Sequence, residues 1–285
     1  VTHTISMYEW QDLVKDINEL KSQGVIVEKI GRSVLGRDIV AVHKGDMLGE
    51  QILIQAGVHG REWLTCQLAI DLMKEYDGKV GVWCVPMSNP DGCMLAMKGL
   101  ESVRDKSIKE LLTRLNPSGQ FDKWKANARG VDINVNFNAD WGKGKHNTFE
   151  AGGENYVGLF PESEVETQAL VKLTKRVVPL VTASLHARGE VVYHGWQGFC
   201  PHESEARKIA DFLGYKLEES LGSVGGYKDW FIATTHNLGV TIEIGKDEWN
   251  IENLEDHYEE ILRQNKGLIK LLEEIVWDIQ NKKNL

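Results

Sequence analysis

Residues 51–71 read QILIQAGVHGREWLTCQLAID, and the rest of the chain is organised around them. An apolar run at 52–56 ends in the turn Gly57-Val58-His59-Gly60, and a long amphipathic segment starts at Arg61. Leu64, Leu68, Leu72 and Met73 follow at helical spacing. Strand, glycine turn and helix place His59 and Glu62 together where the chain leaves a sheet edge. That arrangement points to half of a catalytic zinc site.

Working outward, Ser6-Met7-Tyr8-Glu9 has capping-box spacing and opens a helix to about residue 20. Strands are expected at 25–30 and 39–43, with glycine turns between them, and at 80–85. Asn89-Pro90-Asp91-Gly92 reads as a turn cluster. A short helix is expected at 108–115, and another from Pro161, as its first residue, to about Val177. The β-branched stretch 180–186 ends in His186; 203–213 reads as a helix, Gly225-Gly226 as a turn and 240–244 as a short strand. A long amphipathic helix spans 253–280. Strands alternating with helices, without repeats or a linker, predict one α/β domain over 1–285: a central mixed, largely parallel twisted sheet flanked by helices. Ligand sites in such sheets lie beyond the carboxyl ends of strands, where His59, His186 and Glu243 all fall.

The composition is that of a globular protein: 285 residues, 42% apolar and 26% charged. A net charge of −9 argues against nucleic acid or an anionic membrane as the main partner. The sequence has no apolar run of about 18 residues to span a bilayer, and nothing in it calls for an obligate protein partner. It begins without a signal-peptide pattern, which favours a cytoplasmic location, although a trimmed secreted form would look the same. Its four cysteines form no Cys-x-x-Cys pair and read as buried thiols.

His-x-x-Glu occurs three times, at His59/Glu62, His202/Glu205 and His257/Glu260. His257/Glu260 reads as a solvated helix face, and His202/Glu205 as acidic residues at a helix start. His59/Glu62 alone straddles a glycine turn after a buried strand. A catalytic zinc takes three protein ligands and an open position, so a distant second histidine is needed, and His186 is the candidate. Asp132, between Val131 and Ile133, is a carboxylate in an apolar setting and a reasonable acceptor for His59. Glu243, a carboxylate inside the apolar run 240–244, is the candidate general base.

Together these residues resemble the zinc carboxypeptidase family, from about Tyr8 to Leu272. GVHGREW (57–63) is similar to its first zinc motif; NPDG (89–92) and GVDIN (130–134) are similar to the next landmarks. SLHARGE (184–190) is similar to the third-ligand strand, and GGYKDWF (225–231) with TIEIG (241–245) to the segment bearing the catalytic glutamate. The resemblance implies one zinc per chain on His59, Glu62 and His186, with Glu243 as base and proton shuttle. WKANARGVDIN (124–134), GGENYVG (152–158), FPESEVETQAL (160–170) and HARGEVVYH (186–194) are similar to the bacterial branch that cuts γ-D-glutamyl-diaminopimelate bonds in cell-wall peptides. The implied substrate is therefore a peptidoglycan stem peptide or muropeptide. The rivals are a conventional carboxypeptidase and a non-catalytic peptide-binding member.

The chain departs from the family at Asn134-Val135, where carboxypeptidases carry Asn-Arg to grip a terminal carboxylate; valine cannot form that ion pair. Asn134 stays a candidate substrate contact. Either Lys125 or Arg129 supplies the charge that polarises the scissile carbonyl, with Arg129 preferred for its fork. Arg188 is expected to grip the far carboxylate of diaminopimelate and Glu190 its ammonium, unless the two pair with each other. Digestive members carry a tyrosine before the paired glycines, where this chain has Leu221. Tyr227, just after them, is a candidate replacement; packing beside Trp230 is the alternative.

Overall fold

The parallel centre of one mixed sheet fixes everything near the zinc motif. The computed structural model describes residues 7–283, so Ser6 of the expected capping box lies outside the described residues. The strands are β1 (Ile26–Arg32), β2 (Asp38–Lys44), β3 (Gln51–Gln55), β4 (Gly81–Val85), β5 (Val181–Ala187), β6 (Val191–His194), β7 (Lys216–Glu219) and β8 (Leu238–Ile244). They form a sheet in the order β1-β2-β4-β3-β5-β8-β6-β7. β4, β3, β5 and β8 run parallel to their neighbours in that block; β1, β2 and β6 join antiparallel, and β7 runs parallel to β6. β3, β4 and β5 are buried on both faces, as central parallel strands must be.

The helices are α1 (Trp10–Ser22), α2 (Leu64–Glu75), α3 (Pro90–Lys98), α4 (Lys106–Leu115), α5 (Val165–Val177), α6 (Glu203–Leu213), α7 (Tyr227–Thr235), α8 (Tyr258–Asn265) and α9 (Leu268–Lys283). Two cores result from the strand period of two. Ile52 and Ile54 of β3 pack with α1, α2, α6, α8 and α9 on one face. Leu53, between them, packs with Trp83, Phe137, Leu170 and Tyr227 under α5 and α7 on the other. Among the described residues no helix is long and apolar enough to cross a membrane. The cysteines are free thiols, with Cys66, Cys84 and Cys93 buried.

Several boundaries differ from the sequence expectation. Asn89-Pro90-Asp91-Gly92 opens α3 instead of standing alone as a turn: the Asn89 side chain accepts from the Gly92 N–H at 2.9 Å and Pro90 sits inside the first turn. Asn and Pro serve turns and helix starts by the same chemistry. Pro161 does not start α5; the chain turns through Glu162 at φ +58°, and the helix begins after Glu164. The C-terminal segment is not one helix, since Gly267, at φ +85°, separates α8 from α9. β6, β7 and α7 had no sequence expectation; both strands have four residues, too few for a periodic signal. Further along, the buried Glu273 of α9 accepts from the backbone N–H groups of Lys79 and Val80 and from the Tyr76 hydroxyl, at the entry to β4.

The turn after β3 is pinned from two sides. Asn89 N–H donates to Gly57 O at 2.9 Å; Gly60 N–H donates to Lys125 O at 3.1 Å and Arg61 N–H to Trp124 O at 2.8 Å. Gly60 is the residue that permits this approach. A Cβ there would lie 2.3 Å from the Gly92 carbonyl oxygen and 2.8 Å from that of Trp124, and backbone cannot swing aside as a side-chain tip can. Gly60→Ala should therefore cost about 3 kcal/mol of stability, the upper part of the overpacking range. The measurement is urea unfolding, where the midpoint should fall with an unchanged slope; an unmoved midpoint would show that the two loops can part freely.

Candidate metal centre

The sequence folds His59 and Glu62 together by a short device. The expected helix from Arg61 begins instead with one 3-10 turn, Gly60–Glu62, before α2. Three residues per turn eclipse positions i and i+3, so His59 Nδ1 lies 2.8 Å from Glu62 Oε1. His186 arrives on β5, next to β3 in the sheet, and its Nδ1 lies 3.0 Å from Glu62 Oε2 and 3.2 Å from His59 Nδ1. One ligand atom from each of the three residues falls within 4.8 Å of the others, and all three side chains are buried.

Behind them, His59 Nε2 lies 3.2 Å from Asp132 Oδ1, and Asp132 Oδ2 lies 2.8 Å from Lys125 Nζ. Lys125 also donates to Asn155 Oδ1 at 2.7 Å. Burial would push the His59 pKa down, but the Glu62 and Asp132 carboxylates outweigh it and hold it up at about 9. Burial dominates at His186 and lowers its pKa. Although burial opposes ionisation of Glu62 and Asp132, their cationic neighbours hold both well below the usual carboxylate range. The cluster is therefore a buried place where fixed negative charge draws in a cation.

Glu243 stands beside this cluster because His186 and Glu243 are register partners across β5 and β8. Along β8 the odd positions Thr241 and Glu243 face a cavity of about 430 Å³, while Val240, Ile242 and Ile244 face the core. Burial, then the neighbouring Glu62 charge, pushes Glu243 up to about 8. Asn134 lines the same cavity; its backbone N–H donates to Asp132 Oδ1 at 2.9 Å.

The zinc carboxypeptidase family matches this chain over residues 10–267. The chain belongs to the zinc carboxypeptidase family. It is 29% identical over 262 residues to γ-D-glutamyl-L-diamino acid endopeptidase 1 of Lysinibacillus sphaericus, covering 84% of this chain and 65% of that protein. It is 33% identical over 211 residues to murein peptide amidase A of Escherichia coli K12, covering 69% of this chain and 74% of that one. The chain spans about two thirds of the length of the first of these and of a Bacillus subtilis relative. In fold, it superposes with a TM-score of 0.78 on bovine thrombin-activatable fibrinolysis inhibitor solved with tick carboxypeptidase inhibitor, at 18% identity, covering 96% of this chain and 98% of that one. The donor set here fits the ion in the family's name. Two imidazole nitrogens and a carboxylate are the ligands of an open zinc site, and ring nitrogens 3.2 Å apart repel unless a cation or proton stands between them.

The remaining sequence candidates lie elsewhere. Arg129 is not the cation at the cluster; its side chain is 47% exposed and lies 3.6 Å from Glu164. Lys125 is the one beside Asp132. Arg188 and Glu190 do not pair with each other: Arg188 reaches Asp247 at 2.9 Å, and Glu190 accepts from Gln264 at 3.0 Å. The Gly189 and Glu190 N–H groups both donate to Gly245 O, which fastens that loop to the end of β8. Tyr227 packs beside Trp230, the alternative the sequence offered for it. It is fully buried, its hydroxyl is 2.8 Å from the Thr174 hydroxyl, and it packs on Phe137, Trp230 and Phe231. Sequence reading missed Lys228 and Glu218, which line the cavity. A charged Lys228-Asp229 pair set among Tyr227, Trp230 and Phe231 was the available signal.

These placements separate the two cations by stability. Lys125→Met strips a buried carboxylate of an ion partner and should cost about 3 kcal/mol. Arg129→Ala removes a half-exposed, long contact and should cost less than about 1 kcal/mol. Denaturant unfolding of both variants is the check, and equal costs would contradict this placement of the charges.

Proposed function

We propose that the protein is a zinc metallopeptidase that hydrolyses the γ-D-glutamyl-diaminopimelate amide of peptidoglycan stem peptides or muropeptides. The observation that carries this reading is the register that sets Glu243 beside His186 on the wall of a cavity. The similarity to a γ-D-glutamyl-L-diamino acid endopeptidase and a murein peptide amidase supports the choice of bond.

His59, Glu62 and His186 would hold one zinc per chain. When bound, that zinc supplies Lewis-acid chemistry, acidifying water and polarising a carbonyl. The chain's own groups do the rest. Asp132, 3.2 Å from His59 Nε2, is placed to orient that ring with Nδ1 toward Glu62 and His186. Glu243 takes a proton from the attacking water on its carboxylate and returns it to the leaving amine nitrogen. Lys125, fixed by Asp132 and Asn155, takes the role first given to Arg129 and steadies the charge that develops on the carbonyl oxygen. Asn134, on the cavity wall, is a substrate contact. Docking a peptide's terminal carboxylate on an Asn-Arg pair is disfavoured, because Val135 stands at the second position and is buried.

Two measurements test this. The zinc-loaded protein, incubated with L-Ala-γ-D-Glu-meso-diaminopimelate and read by mass spectrometry, should yield L-Ala-D-Glu and free diaminopimelate. Products from another bond, or intact peptide, would overturn the assignment. Glu243→Gln should keep about one zinc per chain and lose about a thousandfold in turnover; undiminished turnover in the metal-loaded variant removes Glu243 from the role of base.

A further inference from the structure

One buried carboxylate stands apart from the donor atoms and takes no part in the hydrolytic step. Glu166, in the first turn of α5, is fully buried. Its Oε2 accepts from Asn127 Nδ2 at 3.1 Å and its Oε1 from the Val34 N–H at 3.2 Å, both neutral donors. The charges that face it lie on three other segments. Asp91, on α3, is itself a buried carboxylate, and its Oδ1 is held by Arg37, before β2, at 2.6 Å. Glu164, just before α5, is another; it accepts from Asn127 and from the Ser163 hydroxyl, with Arg129 3.6 Å away. Both nearby cations thus answer to a different acid. A carboxylate in this position is costly to ionise, and burial, with Asp91 adding to it, pushes Glu166 up to about 7.

Asn127 is the hub of the loop 124–132. Its Oδ1 accepts the N–H groups of Arg129 at 2.9 Å and Val131 at 3.1 Å. Its own N–H donates to Val131 O and its carbonyl accepts from Gly130. Its Nδ2 donates to Glu164 at 2.8 Å and to Glu166. Lys125 lies two residues before Asn127 and Asp132 five after it. The Trp124 and Lys125 carbonyls in turn receive the Arg61 and Gly60 N–H groups. Through one amide, the two acids hold the segment that places Lys125 and closes on the metal turn.

We propose that Glu166 is a positioning residue whose protonated form anchors the loop bearing Lys125 and Asp132, and whose ionisation loosens that loop. The consequence for turnover rests on the role given above to Lys125. Uncharged, Glu166 sits beside Glu164 and Asp91 without repulsion. Ionised, it adds a buried negative charge between them, and drawing away takes one of the two acceptors from Asn127 Nδ2. The sign follows from linkage. A carboxyl held above its ordinary range lends stability below that range, and the contribution is lost as pH rises through about 7.

The test sets zinc-loaded Glu166→Gln beside the zinc-loaded wild type from pH 6 to pH 9. The variant gives up one acceptor at every pH but cannot ionise, so the change with pH decides and not the level. On L-Ala-γ-D-Glu-meso-diaminopimelate, the variant-to-wild-type ratio of kcat should rise at least about threefold across that range, with the ratio of KM flat. Titration of Glu243 is common to both proteins and cancels in the ratio. In the wild type, hydrogen exchange of residues 124–132, read by mass spectrometry and corrected for the intrinsic rate, should speed up at least about fivefold more than that of β5. A kcat ratio that stays constant marks a merely structural glutamate and overturns the proposal. Exchange at 124–132 that follows β5 overturns it as well. The exchange measurement needs neither the variant nor cleavage, so it still decides the matter if Glu166→Gln does not fold. Wild-type protein that leaves the peptide uncut defeats the cleavage reading, while the exchange result stands on its own for Glu166.

Discussion

Two carboxylates buried against apolar strands, Glu62 and Asp132, are the constraint on which the centre depends. A buried carboxylate without a positive partner costs several kcal/mol, so each must recruit one. Glu62 draws in His59 and His186; Asp132 takes the far side of His59 together with Lys125. Those four pairings join the turn after β3, the end of β5 and the loop 124–132. None of these segments lies near all the others in sequence. The geometry of the donor atoms follows from this electrostatic closure as much as from the strands that carry them.

How far the sequence could be read depends on what kind of information each residue carries. The central strands and the ligand trio were legible because continuous apolar runs ending in a histidine or a glycine turn constrain both fold and chemistry locally. Asp132 and Glu243 were legible because an acidic residue in an apolar run demands a reason. Choosing between Lys125 and Arg129 was not possible from spacing, since Lys125 is aimed by Asp132 and Asn155, contacts that exist only after two loops have closed. Where Arg188 and Glu190 reach could not be read from sequence, because their partners Asp247 and Gln264 lie far along the chain. Packing of Tyr227 beside Trp230 was legible, since Tyr227, Trp230 and Phe231 stand at i, i+3 and i+4 and mark the core face of α7.

The two sides of the site differ in physical character. The metal side is rigid, because backbone hydrogen bonds fasten the 57–61 turn to α3 and to Trp124 and Lys125. The opposite side is a cavity bordered by the short strands β6 and β7 and by the turn into α7. Asn134, Lys228 and Glu243 stand on the cavity wall, while His59 and Glu62 stand on the fastened turn.

Glu273 has a consequence for the order in which this molecule is made. It closes the N–H groups at the entry to β4, and β5 and β8 complete the sheet around β3. On a ribosome, β3 and β4 emerge long before any of these partners. The first half of the chain must wait with an open sheet edge, and with the Lys79 and Val80 amides bound only to water, until α9 is synthesised.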